Sequence, residues 1–494
     1  MNRKQFLILI SFSFLILLLL ASAFYIQMSQ QTSSTHKGKE TAQENPSQPQ
    51  QTQPPTNPRP SQPGTPMLGG LKQVTNQAVG DVDNNIANSW GVHKNRIVRT
   101  STGDIFTVYI SLGSDHHNHT WHLMHRAPND DTWQDVHTGN AGSEPVNILV
   151  GPHDTIHVLS WPHLQGQAEH TITTDLGKSF TTENIPGHWR AQEQGYSGSG
   201  INAQGDMVFF QSGDDKPGQF LWSYYSHTTQ QWQFHITTFD FRYTYAFFFP
   251  GNHNDLTMVG VRDIQREEAG YATSSNFNYI FDAIRYFYIG DVNKPDSTFS
   301  KLQVVQPTPP QNTDDSDVIF LTDSYIDTYG RTHVLYNNLY DGQKTLHHVV
   351  IENGQIVKNV QLNIDFGPRA RIVQDTQGHF YIISMANSGN TINVYPGSSS
   401  DTDGTQLNDP VKLDISQFPG CTNYDMCHSP TLTLPRNGNA VSDTLDGTYG
   451  NFTKEISFRI TLRSGTSFAP TQAPLALAGP QKVQSTLLAE EKRK

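Results

Sequence analysis

Residues 147–180 read NILVGPHDTIHVLSWPHLQGQAEHTITTDLGKSF. An apolar strand comes first, then a tight turn at Asp154, then a second strand of alternating apolar residues. The same unit recurs along the chain, with turns near Gly103, Asp154, Gly205, Asn254, Gly330, Gly378 and Gly438. The intervals are 51, 51, 49, 76, 48 and 60 residues, and a period of about fifty is the signature of propeller blades. A second hairpin follows each pair, as in Trp121 to Met124 with Trp133 to Val136, and Leu221 to Tyr225 with Trp232 to His235. Val, Ile, Tyr, Phe and Thr dominate these strands, and long amphipathic helical patterns are absent. The expected fold is all-β: a β-propeller of seven four-stranded blades, with six as the fallback.

The seventh repeat ends after the strand Ile456 to Leu462, one strand short. The segment between Leu71 and Trp90 is the natural donor, because pairing the two ends of the ring removes exposed sheet edges. The 76-residue interval calls for an insertion around Asp263 to Phe281.

Outside the repeats the chain has a different character. Asn2-Arg3-Lys4 precedes an apolar run from Phe6 to Ile26, so residues 1–26 read as a signal peptide or an N-terminal membrane anchor. Ala21-Ser22-Ala23 suits cleavage, while 21 apolar residues also suffice to span a bilayer. Either way the rest is extracytoplasmic, anchored at the cell surface or secreted. Residues 27–66, with eight prolines between Pro46 and Pro66, read as a disordered linker. The propeller is expected over 67–470, and a disordered tail over 471–494.

With 33 Lys+Arg against 45 Asp+Glu, the formal net charge is −12, and nucleic acid is excluded as a partner. The chain is expected to be a monomer without cofactor or metal. Outside the cytoplasm its two cysteines, Cys421 and Cys427, are expected to form a disulfide.

Thr173-Thr174-Asp175-Leu176-Gly177-Lys178-Ser179-Phe180 resembles the Asp-box of the sialidase-like (BNR) propellers, Ser/Thr-x-Asp-x-Gly-x-Ser/Thr-Trp/Phe. The Asp carboxylate can satisfy turn amides, and the motif is structural in that family. The resemblance implies a site on the face that carries the B–C and D–A loops, with strands lettered A to D outward from the channel. On that face Arg96, Arg242 and Arg371 fall at or near the heads of A strands. Sialidases grip a sugar carboxylate with three arginines, whose planar forks match it bidentately. Arg96-Ile97-Val98 resembles the Arg-Ile-Pro opening of that family and departs from it at Val98. Ordinary strand-end arginines facing acidic neighbours account for the same pattern without a ligand.

By position, Asp115 stands where a sialidase acid/base would lie. Tyr243 or Tyr245 would serve as nucleophile, with Glu193 or Glu267 as its base. Histidine is in excess: 21 in all, eleven of them from His116 to His188. His117 is a candidate catalytic group, and His119, His163 and His188 candidate substrate ligands. His170 is assigned to the second B–C loop. Some polysaccharide lyases on seven-bladed propellers use His, Tyr and Arg to neutralise a uronate and remove its C5 proton, and this pool is similar. The expected partner is a carbohydrate, with recognition or cleavage of an acidic glycan, as a hydrolase or a lyase, as the expected function. The alternative is a non-catalytic surface module that binds glycan or protein.

Overall fold

The computed structural model describes residues 63–78 and 91–463, except 116–117, 143, 162–166, 191–195, 275–277, 295–297, 314, 316–317, 341, 368, 421–429 and 452. No helix among them is long and apolar enough to cross a membrane. The apolar run Phe6–Ile26 and both cysteines lie outside the described residues.

The described residues form seven four-stranded antiparallel sheets, each meandering from an inner strand A to an outer strand D. Blade 1 comprises Ile97–Arg99, Ile105–Asp115, Asn118–Arg126 and Gln134–Ala141. Blade 2 is Asn147–Val150, Ile156–Ser160, Ala168–Thr173 and Thr181–Ile185; blade 3 is Gly198–Ile201, Met207–Asp215, Gly218–Ser226 and Gln231–Phe239. Blade 4 is Tyr243–Pro250, Leu256–Gln265, Tyr279–Ile289 and Ser300–Val305; blade 5 is Ile319–Ile326, Thr332–Tyr340, Gln343–Glu352 and Gln355–Leu362. Blade 6 is Ala370–Gln374, Phe380–Met385, Thr391–Pro396 and Val411–Asp414. Blade 7 takes Thr431–Leu432, Thr444–Asn451 and Lys454–Thr461 from the end of the fold and its D strand, Met67–Thr75, from the beginning.

The closing strand therefore starts at Met67 rather than Leu71 and ends at Thr75. Gly69-Gly70 reads as a break in sequence, but the register shifts between Gly69 and Lys72, with Gly70 at φ +61°, so the pairing passes through a bulge. The expected insertion is the B–C connection of blade 4, residues 266–278.

All seven turn residues singled out in the sequence have positive φ, from +58° at Asn254 to +95° at Gly205. Where Asn or Asp stands three residues earlier, its carboxyl or amide oxygen caps the turn. Asn202 Oδ1 accepts from the Gln204 and Asp206 amides, Asp327 Oδ1 from Tyr329 and Arg331, and Asp375 Oδ1 from Gln377 and His379, at 2.8–3.0 Å. The turns also lace neighbouring blades: Ser101 N donates to Asp154 Oδ1 (2.7 Å) and Asn202 Nδ2 to Gly251 O (2.8 Å). Between blades the core is apolar, as where Phe210, Phe220 and Trp222 of blade 3 pack with Phe248 and Phe287 of blade 4.

In the Asp-box-like turn, Asp175 Oδ1 accepts from the Lys178 and Ser179 amides and the Thr173 hydroxyl, and Oδ2 from the Ser179 hydroxyl (2.6 Å). These bonds, led by Ser179, hold its carboxyl down at about 2. Phe180 stacks on His137 of blade 1 at 4.0 Å, so the motif ties two blades together.

Asp375 is wholly buried; besides its two amide bonds it accepts from His379 Nδ1 (2.8 Å) and the Tyr381 hydroxyl (3.2 Å). Asp375→Ala strands several buried donors and is expected to cost on the order of 2–4 kcal/mol, read as a lower urea midpoint at unchanged m.

Candidate functional site

Strand A of each blade runs from the D–A face to the A–B face, so residues heading A strands surround the channel mouth on the D–A face. Blades 3 and 4 place Tyr196 and Tyr245 there, with ring centroids 5.2 Å apart. Both have left-handed backbones, φ +48° and +46°, a conformation that is an outlier for a bulky residue. The other non-glycine residues with positive φ among those described, His153, Asp154, Leu176, Gln230, Asn254 and Asn353, lie in hairpin turns. At Tyr245 the cause is local: the register with strand B shifts between Thr244 and Phe247, and the bulge re-aims the side chain. Tyr245 consequently leaves the side of the strand on which Tyr243 lies. Tyr243 is fully buried between blades 3 and 4, edge-on to Phe287 and under Arg285.

Arg242 sets its guanidinium 5.5 Å from the Tyr196 ring and 4.9 Å from Tyr279, and donates from Nη2 to Asp263 Oδ2 (2.6 Å). On the other side, His93 meets Tyr245 edge-on at 5.4 Å. Its Nε2–H donates to Ser197 O (2.9 Å), which leaves Nδ1 as the lone-pair nitrogen. Burial first, then Lys94, pushes the His93 imidazolium well below its ordinary range, so the ring is neutral. The Lys94 ammonium donates to Glu144 (2.8 Å) and Ser197 Oγ (2.6 Å), and Glu144 also accepts from the Tyr196 and Ser197 amides. This ties the two turns that carry His93 and Tyr196. Burial and then Asp263 and Tyr245 raise the Tyr196 hydroxyl well above its usual range, so it stays protonated and neutral.

Deeper in the channel, Arg96 and Arg371 are each 1 % exposed. Arg96 pairs with Glu455 at 3.7 Å. Arg371 stands 3.5 Å from Asp323 and donates to Thr322 O and Pro430 O, and Arg436 donates to the same Asp323 at 2.8 Å. Burial first, with Arg436, Arg96 and Arg369 adding to it and Asp323 opposing, brings the Arg371 guanidinium down to about 9. Arg371 and Arg436 thus share Asp323, Arg96 has Glu455 of blade 7, and Arg242 has its own partners nearer the rim. Each of the three has an acidic neighbour.

The remaining candidates scatter. Asp115 ends strand B of blade 1, paired with Asn118; Glu193, His117 and His163 lie outside the described residues. His119 and His170 are strand residues, not loop residues. His119 is buried and donates to Gly142 O, and His170 is buried in strand C of blade 2. His188 is exposed beside Phe234, and Glu267 is exposed in the blade 4 insertion. Sequence reasoning missed His93, Lys94, Glu144, Tyr196, Arg369 and Arg436. Arg369 immediately precedes its A strand, as Arg96 does, and Tyr196 stands two residues before its own, so the rule that selected Arg96 would have found them if applied to every repeat. Arg436 comes from an A–B turn and reaches the channel from the opposite face, which that rule does not anticipate.

No family model matches this chain, and no curated protein does. Among solved structures it is similar to a polysaccharide lyase family 25 ulvan lyase bound to -[GlcA(1-4)Rha3S]-, at 10 % identity over 77 % of this chain and 95 % of that one, TM-score 0.49. Polysaccharide lyase Uly1 gives 10 %, 82 %, 100 % and 0.48. The GH93 α-L-arabinofuranosidase of Fusarium graminearum, in complex with arabinobiose, gives 11 %, 79 %, 98 % and 0.41. The likeness is one of fold.

Part of the histidine excess is spent inside blades rather than at the site. In blade 2, His157 Nδ1 meets His170 Nε2 at 2.8 Å, and His170 Nδ1 donates to Glu183 (3.0 Å). In blade 5, His333 Nε2 meets Asp327 Oδ2 (3.1 Å) and His333 Nδ1 meets His348 Nε2 (2.9 Å), while His348 Nδ1 meets Gly404 O (3.1 Å). Burial, then the partner imidazole, holds His157 and His348 down at about 3. A folded-state value below the unfolded 6.5 means that the unfolded chain takes up protons first. Stability is therefore complete above pH 6.5 and falls as pH drops toward 3, by up to about 1.4 kcal/mol per pH unit for each group. Urea midpoints taken from pH 7.5 to 5 are expected to fall, and the slope is expected to be shallower in the His157→Gln/His348→Gln variant.

Proposed function

We propose that this chain is an extracytoplasmic sialidase-like propeller that recognises an acidic glycan at its channel mouth, through the row His93, Tyr245, Tyr196 and Arg242. The observation that carries this reading is the pair of left-handed tyrosines in mutual contact, since strain outside hairpin turns persists where a surrounding structure holds it for a use. Tyr196, Tyr245 and the Arg242 side chain are 6 %, 8 % and 11 % exposed, so the row reaches solvent only at its rim. Phenol rings offer stacking faces and hydroxyl donors to a sugar, and Arg242 offers a planar fork. An anion is favoured because Arg242 and the buried Lys94, Arg96, Arg369, Arg371 and Arg436 outnumber the buried Asp263, Glu144, Asp323 and Glu455 at and beneath the row. A chain of net charge −12 attracts a polyanion only through such a local field.

Recognition is the primary reading, because both the depressed His93 and the raised Tyr196 are neutral groups suited to hydrogen bonding. The catalytic version is an elimination: a base takes the C5 proton of a uronate, the C4–O bond breaks as the C4–C5 double bond forms, and a tyrosine hydroxyl protonates the leaving oxygen.

The test is direct binding of the full chain to uronate polysaccharides and sialosides, with absorbance of the unsaturated uronate and reducing-end release followed in parallel. Arg242→Lys keeps a charge beside Asp263 but loses the flat stacking between two tyrosines, and is expected to weaken binding about tenfold. Product that disappears in Tyr245→Phe while the ligand still binds marks an enzyme; binding without product marks a lectin-like module. No binding of any acidic glycan sinks the reading.

A further inference from the structure

We propose a second, independent saccharide site: a peripheral cleft of about 400 Å³ between blades 5 and 6 that takes a neutral sugar unit. Its walls are the segment Gln361–Asp365, which leaves strand D of blade 5, strand C of blade 6 through Asn393 and Tyr395, and the long C–D connection of blade 6 through Leu407, Asn408, Asp409 and Pro410. The volume falls in the range of about 300–1,000 Å³ usual for small-molecule sites.

The observation that asks for a ligand is Asn393. It is 1 % exposed, its Nδ2 donates to Asp365 O (3.2 Å), and its Oδ1 is buried with no hydrogen-bond partner. A buried acceptor left unpaired is costly, and the residue that carries it lines a cavity large enough to hold a donor. The rest of the lining selects among donors. Asp365 and Asp409, both exposed at the rim, face one cation, Lys412. An anion is disfavoured there, and ligand hydroxyls can donate to the carboxylates and to Asn393 Oδ1. Leu362, Ile364, Leu407 and Pro410 add apolar surface of the kind that meets the C–H face of a sugar ring.

Both walls are pinned before any ligand arrives. The Tyr395 hydroxyl donates to Asp365 O (2.6 Å), beside the Asn393 bond to the same oxygen. In the C–D connection, Asp401 accepts from the Gly404, Thr405 and Gln406 amides, and Gly397 bridges to Leu407. Lys358 of blade 5 pairs with Asp403 of that connection, and Arg331 Nη2 donates to Thr402 O (2.7 Å). Walls fixed in this way lose little conformational entropy on binding.

The experiment titrates the full chain with cellobiose, maltose and lactose, and with glucuronic acid as the acidic comparison, by ligand-observed NMR. A neutral disaccharide is expected to bind in the millimolar range, glucuronic acid more weakly. Asn393→Leu removes the acceptor and is expected to weaken binding about tenfold. Because a buried change can harm folding, Asn363→Trp is the second variant: it fills the cleft from an exposed position and is expected to abolish binding at unchanged thermal stability. Arg242→Lys, at the channel mouth, is expected to leave this binding untouched, so the two sites fail separately. Absence of binding by all three disaccharides, binding that survives Asn363→Trp, or preference for glucuronic acid overturns the proposal.

Discussion

Closing the ring is the constraint on which the other features depend. Strand Met67–Thr75 completes blade 7 and brings blade 7 against blade 1, so residues more than 330 positions apart become neighbours. The seam is held by polar bonds as well as by the sheet. Arg99 donates to Asp446 (2.8 Å), Asn437 Nδ2 to Ile97 O (2.8 Å), Asn439 Nδ2 to Arg99 O (2.7 Å) and the Thr431 hydroxyl to Lys94 O (3.3 Å). Without the seam, Lys94, Asn95 and Arg96 would head an edge blade, and Arg436 would not reach Asn95.

Inside the closed ring the charges are arranged to offset their own burial. A guanidinium taken out of water is tolerated when its donors are met, and Arg371 meets two carbonyls and stands beside Asp323, which Arg436 shares. Carboxylates do the same for backbone: Glu144 caps two amides of the turn that carries Tyr196, and Asp323 Oδ2 accepts from the Ile372 amide (2.9 Å). The channel charges thus fix the heads of the A strands. A rim built on such supports can hold two tyrosines in left-handed backbone, where a bare loop would relax.

The two faces divide the work. On the A–B face, short turns capped by Asn or Asp and by left-handed residues tie blade to blade, and the Asp175 turn does the same farther out by stacking Phe180 on His137. The D–A face carries the two tyrosines, Arg242 and the blade 4 insertion. There Tyr271 donates to Asp282, which is itself gripped by Arg262. Rigidity on one face is what allows irregular backbone on the other.

The sequence by itself determined the architecture. Blade number, the seven A–B turns, the need for a donor strand and the blade 4 insertion all follow from local alternation and turn chemistry, which depend on near neighbours in the chain. The Asp175 turn was legible for the same reason, since its bonds lie within seven residues. The candidate site was legible only in part: of the proposed row, Arg242 and Tyr245 stand out in the sequence, while His93, Tyr196 and the partners that hold the row do not. Which side of a strand a residue faces changes with one bulge, and only the register shift in blade 4 separates Tyr245, packed with Tyr196, Phe281 and Phe320, from Tyr243, packed against Phe287. That His93 is neutral, that Arg371 shares Asp323 with Arg436, and that His157 and His348 are structural depend on burial and on neighbours from other blades. Those contacts exist only once the ring has closed.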